Sequence, residues 1–243
     1  MIDFSKYKAA SYRGKTSSFK AITNFDLISI DELLFLDDKF EILAKNTKNF
    51  LDGKFYQHCL LGGAKGCGKT SLIKAIFNEF KDSNLRIIEV FKDDLKDLRY
   101  IIDELENEPF KFIIFLDDFS FDIKDDAFKV LKPIIDGGIE KLSDNIMFIA
   151  SSNYKNILKS SNHNYSDADF LDEMDDKFSL KERFGIWLTF YAMSQAEYLA
   201  IIDKLFKKQS EEIHKSAIEF ANLKAARSGR IAKQFYELNK DNL

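Results

Sequence analysis

Apolar residues recur along this chain in two alternating rhythms. Phe40, Leu43, Ala44, Thr47, Phe50 and Leu51 fall at helical spacing, and Asp52-Gly53 closes that segment. From there short unbroken apolar runs alternate with stretches of helical period. The runs are His58–Leu61, Leu85–Phe91, Phe112–Leu116, Ile146–Ala150 and Ile186–Tyr191, and the helical stretches are Thr70–Phe80, Asp94–Asn107 and Asp125–Ile135. A short, wholly apolar run suits a strand buried on both faces, and intervening helices provide the crossovers that parallel pairing requires. The pattern predicts an α/β fold with a five-stranded parallel sheet flanked by helices. After Ala192 the strand signal stops, and Gln195–Lys208, Glu211–Ala226 and Ile231–Leu238 read as three amphipathic helices. We therefore expect an α/β core with a short N-terminal segment over residues 1–193 and a small helical appendage over 194–243. A polar stretch, Asn153–Asp176, reads as one long loop.

Composition narrows the class. The chain has 243 residues, 45% apolar and 31% charged, with a mean hydropathy of −0.26, the profile of a globular protein with a sizeable core. No apolar run approaches the ~20 residues of a spanning helix, and the N-terminus MIDFSKYKAA lacks the apolar region of a secretory signal. Two cysteines, Cys59 and Cys67, are too few for a disulfide framework or a zinc site. A cytoplasmic protein without membrane insertion is the expectation. A net charge of −4 excludes a chain that mainly coats nucleic acid, though not a local patch. Residues 1–24 carry Lys6, Lys8, Arg13, Lys15 and Lys20 against Asp3 alone, while Ser166–Asp176 holds Asp167, Asp169, Asp172, Glu173, Asp175 and Asp176 with no base; both read as solvated, flexible segments.

The sharpest chemical signal is Gly63-Ala64-Lys65-Gly66-Cys67-Gly68-Lys69-Thr70, which fits G-x-x-x-x-G-K-[ST] between a predicted strand and a predicted helix. Glycines allow successive backbone N–H groups to turn inward around phosphate oxygens, and the following helix offers them its positive end. The loop residues together with Lys69, Thr70 and Ser71 are the expected phosphate contacts. Lys69 would reach the β- and γ-phosphates of ATP, and the Thr70 hydroxyl would ligate Mg2+. Cys67 lies inside this loop, where small size suits the position as well as any redox role.

Three further features accompany the loop. Phe112–Leu116 ends in Asp117-Asp118, so that one carboxylate can hold a metal and the next can face an attacking water. Asn153 closes IASSN at the tip of the next apolar strand, where a neutral amide can orient water or contact a γ-phosphate. Among thirty-six basic residues only six are arginine, and three of these, Arg183, Arg227 and Arg230, lie in the short segments KERFG and RSGR. A planar guanidinium suits phosphate charge in a way that an ammonium does not. His58, His163 and His214 show no ligand spacing, and Trp187 reads as a core residue.

The order Gly63–Thr70, Asp117–Asp118, Asn153, Arg183 and Arg230, followed by a helical lid, resembles an AAA+ ATPase. The stretches KTSLIKAI, LRIIEV, FIIFLDDFSFD, ASSN, KFSLKERFGIWLTFY and RSGRIAKQF are similar to a bacterial AAA+ family labelled domain of unknown function 815, from about Asp26 to Phe235. That resemblance implies Asp117 as the Walker B magnesium residue, Asp118 in the catalytic-base place and Asn153 as sensor 1. It also implies Arg183 as an arginine finger offered to a neighbouring subunit and Arg230 as sensor 2, with Arg227 the weaker candidate. Most AAA+ proteins carry Glu where this chain has Asp118, and the shorter side chain implies slow hydrolysis. Because the chain starts shortly before the core, no substantial client-selecting N-terminal domain is expected. The implied function is Mg2+-dependent ATP hydrolysis in a homo-oligomer acting on an unidentified protein or nucleic-acid client. A nucleotide-gated scaffold with negligible hydrolysis and a DNA-associated loader remain alternatives.

Overall fold

A computed structural model describes residues 2–119, 126–136, 139–153 and 182–241. In chain order the elements are β1 (Ala9–Arg13), β2 (Ser18–Ala21), α1 (Asp37–Leu51), β3 (Cys59–Gly63), α2 (Lys69–Glu79), β4 (Leu85–Val90), α3 (Leu98–Leu105), β5 (Lys111–Leu116), α4 (Asp126–Asp136), β6 (Ile146–Ser152), β7 (Ile186–Phe190), α5 (Gln195–Phe206), α6 (Glu211–Leu223) and α7 (Gly229–Asn239). The sheet has the order β2-β1-β4-β5-β6-β3-β7. All neighbours pair in parallel except β2, which runs antiparallel to β1 at the edge.

The sheet thus has seven strands where the apolar pattern predicts five. The two additional strands lie in the basic segment expected to be solvated and flexible. Ala10 and Tyr12 of β1 are buried against Ile88, and Ala10 pairs with Ile88 in register. Just upstream, Arg86 of β4 is buried, donates from Nε to the Phe4 carbonyl at 2.6 Å and stacks 3.9 Å over the Phe110 ring. This guanidinium ties the N-terminal residues to the sheet. The helix expected over Asp94–Asn107 begins as a 3-10 turn over Lys92–Asp97 before α3. Trp187, expected in the core, is exposed on the edge strand β7, and the acidic stretch 166–176 lies outside the described residues.

Alternation along the strands builds one core on each face of the sheet. On one face Ile88, Ile114 and Phe148 meet Leu98, Ile101 and Leu105 of α3 and Leu131 and Ile134 of α4. On the other, Ile87, Ile113, Phe115 and Ile149 meet Leu43 and Phe50 of α1 and Leu72, Ile73, Ile76 and Phe77 of α2. The three C-terminal helices form a third cluster around Tyr198, Ile202, Ile213, Ala217 and Phe235, with the Tyr198 hydroxyl donating to Ala217 O at 3.2 Å. His214 Nε2 lies 2.5 Å from Asp203 Oδ1, joining α6 to α5. No helix among the described residues is long and apolar enough to cross a membrane.

His58 enters β3 and accepts a hydrogen bond at Nδ1 from Phe148 N, 3.2 Å away. Burial holds its pKa down, from 6.5 to about 4. A base whose folded pKa is depressed binds fewer protons folded than unfolded, so its contribution is present above pH 6.5 and is lost as pH falls toward 4. The full shift corresponds to about 3 kcal/mol, and the residue's partial exposure brings that nearer ~2 kcal/mol. Denaturant unfolding at pH 7 and pH 4.5 should show this loss in the wild type and a smaller loss in His58→Gln; parallel profiles would refute it.

Candidate functional site

Parallel pairing brings the carboxyl ends of β4, β5, β6, β3 and β7 to one edge of the sheet, the edge where open α/β sheets bind ligands. Within that edge β6 lies between β3 and β5. The strand order therefore places Asn153, just after β6, between the loop that leaves β3 and the carboxylates that leave β5. The side chains meet accordingly. Lys69 Nζ donates to Gly63 O at 2.9 Å, to Ala64 O at 2.8 Å and to Asn153 Oδ1 at 3.1 Å. The amide of the same Asn153 donates through Nδ2 to Asp118 Oδ1. Asn153 thus bridges the ammonium and the second carboxylate.

The loop's glycines are required by close approach. Gly63 has φ +141°, and a Cβ there would lie 1.9 Å from the backbone oxygen of Phe190, the strand neighbour whose carbonyl also receives Ala64 N at 3.0 Å. Gly66 has φ +73°, and a Cβ there would lie 2.7 Å from Ser228 Cβ and 4.0 Å from Arg230 Cβ. These contacts bring the RSGR segment of the C-terminal helices onto the loop. Ser228 caps α7, accepting from Ile231 N at 3.3 Å, and Arg230 lies in the first turn of that helix. Arg230 is exposed, whereas Arg227 Nε is shut off from solvent with no hydrogen-bond partner among the described residues. A further contact between these helices and the core runs from Lys204 Nζ to Asp31 O.

Gly68 N-caps α2, and Lys69, Thr70 and Ser71 form its first turn, where backbone N–H groups have no partner within the helix. Lys69 is buried at 7% exposure, and burial lowers its pKa, opposed by the nearby Cys67, Asp117 and Asp118. Cys67 itself is half-buried, with Sγ 3.7 Å from Lys65 O, and Lys65 is exposed.

Asp117 and Asp118 leave the tip of β5 in different ways. Asp117 is partly buried; its Oδ1 receives the Ser151 hydroxyl at 2.5 Å and Asp118 N at 3.1 Å. Its Oδ2 takes no hydrogen bond among the described residues. Asp118 is exposed and adopts φ +55°, a left-handed conformation rare for residues other than glycine, asparagine and aspartate. Thr70 and Asp117 each carry a hard oxygen donor of the kind that Mg2+ prefers, and Asp117 has one oxygen engaged by Ser151.

Arg183 is not part of this group. It lies three residues before β7, whose first residue, Ile186, pairs with Cys59 at the start of β3, while Phe190 pairs with Gly63 at the loop. Four strand steps, about 13 Å, therefore separate Ile186 from the level of Gly63, and Arg183 lies beyond the far end. Sequence reasoning missed Ser151, Ser228 and the Asp31–Lys204 contact. Their residue types carry no distinctive signal, and only strand register or helix docking brings them to the loop.

A family model described as protein of unknown function (DUF815) matches residues 5–242. The structure of the Thermotoga maritima RuvB Holliday junction branch migration motor is 18% identical, covering 86% of this chain and 71% of that one, with a TM-score of 0.50. A DNA replication initiation factor is 19% identical over 88% of this chain and 65% of that one, TM-score 0.54. The Aeropyrum pernix Orc1 protein in complex with DNA is 12% identical over 86% and 61%, TM-score 0.59. These likenesses show a shared α/β fold. A search of curated proteins finds no match.

Proposed function

This chain belongs to the family described as protein of unknown function (DUF815), and from that premise we propose that it is a Mg2+-dependent AAA+ ATPase that hydrolyses ATP at a subunit interface. The observation that carries the reading is the chain Lys69–Asn153–Asp118, which joins the phosphate-binding loop to a carboxylate that can activate water. Lys69 directs its ammonium at loop carbonyls and at Asn153, so an incoming triphosphate would exchange those contacts for phosphate oxygens. Moving Asn153 toward the γ-phosphate would in turn release Asp118 from its hydrogen bond. Loop amides from Gly63 to Gly68 and the first-turn amides of α2 would receive the remaining phosphate charge. Thr70 and Asp117 would hold Mg2+, which would supply positive charge to offset the negative charge that develops on the phosphates.

Arg183 cannot serve the site of its own chain from the opposite end of the sheet. Its place in this reading is therefore on a neighbouring subunit's γ-phosphate, which makes a homo-oligomer part of the active form. Residues 194–243 act as a lid. Their Ser228–Arg230 segment rests on Gly66, so a change in the phosphate loop is felt directly by the helices that follow. Arg230 is the guanidinium best placed to report the nucleotide, with Arg227 and its unpartnered Nε as the second candidate. The client is a protein or nucleic acid. The neighbours that carry DNA in their names make a loader on DNA worth testing by salt-sensitive binding, against which stands the net charge of −4.

A second reading, a nucleotide-gated scaffold with negligible hydrolysis, is favoured by the short Asp118 side chain and its engagement by Asn153. Sedimentation velocity with ADP and with a non-hydrolysable ATP analogue, each with Mg2+ and alongside phosphate release, separates the two. The ATPase assembles with the analogue and releases phosphate from ATP. Assembly without release selects the scaffold. No heat of association with either nucleotide, on folded protein, removes both.

A further inference from the structure

Ser151 occupies a position that neither the loop motif nor the acidic strand tip predicts. β5 and β6 pair in parallel with Leu116 opposite Ala150, and one residue further this register sets Asp117 opposite Ser151. Ser151 is 2% exposed, so its hydroxyl must be satisfied inside the protein. A hydroxyl has one proton and two lone pairs, and both functions are used here on consecutive residues. Ser151 Oγ donates to Asp117 Oδ1 at 2.5 Å and accepts from Asp118 N at 3.0 Å, while the Ser151 carbonyl accepts from Phe119 N at 2.7 Å. A single residue of β6 thus holds the carboxylate of residue 117, the backbone of 118 and the backbone of 119.

Two consequences follow for the reaction. First, a carboxylate at the end of a strand turns freely about its side-chain bonds unless one oxygen is pinned. Pinning Oδ1 leaves Oδ2 facing out of the hydrogen-bonded side, the arrangement in which an outer partner orients a metal-binding carboxylate. Second, Asp118 takes its left-handed turn at φ +55°, a conformation that persists where surrounding bonds impose it. The bonds from Asp118 N and Phe119 N to Ser151 lie on either side of that turn. Strand alternation turns the next residue of β6, Ser152, to the opposite face of the sheet, so the effect belongs to position 151 and not to the serine pair as a whole.

We infer that Ser151 is the positioning residue of this site, fixing the orientation of Asp117 toward Mg2+ and the backbone turn that presents Asp118. The inference rests on the ATPase reading above for the identity of the metal site. It requires no contact between Ser151 and nucleotide or metal; the residue acts through Asp117.

The test is Mn2+ binding followed by electron paramagnetic resonance on the full chain saturated with ADP, with nucleotide affinity in EDTA measured beside it. In Ser151→Ala the Mn2+ dissociation constant rises by about 10–100-fold, the range for loss of an outer partner of a metal ligand. ADP affinity in EDTA changes little, the unfolding midpoint falls by no more than lost buried hydrogen bonds explain, and the Mg2+ concentration for half-maximal phosphate release rises in step with the Mn2+ constant. If the alanine variant fails to fold, Ser151→Cys keeps the volume with a much weaker donor and shifts the metal constant in the same direction. An unchanged metal constant in either folded variant overturns the positioning role. Equal weakening of metal-dependent and EDTA binding does so as well, since it marks a general structural role. Failure of the wild type to bind ADP would instead overturn the ATPase reading, so the two failures are distinguishable.

Discussion

Replacing Arg183 by Ala lowers ATP turnover by about 10³–10⁵-fold, the range for loss of an arginine finger, while nucleotide affinity stays within a few-fold of wild type. The size follows from where charge develops. In phosphoryl transfer the γ-phosphate oxygens carry spread negative charge, and a guanidinium placed there acts only as the transition state forms. The separation of affinity from rate follows from the fold. Arg183 precedes the first residue of β7, at the end of the sheet opposite Gly63, so on the proposed reading it would add nothing to binding within its own chain. Mixing experiments check the geometry as well as the magnitude. Arg183→Ala subunits keep an intact site, and Asp118→Asn subunits keep an intact finger, so equimolar mixtures should recover a substantial part of the wild-type rate. Unchanged hydrolysis by Arg183→Ala at high protein concentration, or no recovery on mixing, would remove the finger from this residue.

Much of this arrangement is legible in the sequence because its strongest parts are local. The loop from Gly63 to Thr70 declares itself by spacing, and the strand–loop–helix context that the spacing demands is the one observed from β3 to α2. Asp117 and Asp118 are legible because an apolar strand that stops at two acids must present them at its tip. The sheet's edge was not legible, for a physical reason. β1 reads AASYR, with small and polar residues whose burial comes from packing on β4 and from the Arg86 clasp of Phe4, not from their own hydrophobicity. A basic surround then masked a buried strand. Trp187 shows the reverse case, since an apolar residue on an edge strand need not face the core.

Contacts that depend on register or docking escape any linear reading. Either serine of IASSN is indistinguishable from its neighbour until the pairing of Leu116 with Ala150 sets one of the two against Asp117. Likewise RSGR suggests phosphate recognition by composition, but its link to the loop is the seat of Ser228 on Gly66, a contact between residues far apart in the chain. The site is therefore built from a local motif, two strand tips and one helix cap, and the order of strands is what joins them.

Asp118→Asn carries the other large effect, a fall of about 10²–10⁴-fold in the single-turnover rate, the usual worth of a positioned general base. The substitution preserves size and can preserve the hydrogen bond to Asn153, so a loss reports the missing carboxylate and not a rearranged loop. Asp is a demanding choice here. Its side chain is one methylene shorter than Glu, and the left-handed φ of +55° is the means by which the backbone brings it to Asn153. While Asn153 shares its amide between Lys69 and Asp118, the base is held and the ammonium is engaged. On the ATPase reading, ATP would have to separate these partners before water is activated, which would slow the wild-type rate and tie it to arrival of the γ-phosphate. Rapid-quench measurement of one turnover on ATP-saturated protein reads the chemical step apart from assembly and product release. A variant that hydrolyses as fast as the wild type strips Asp118 of the catalytic role and hands the choice to the nucleotide-gated scaffold.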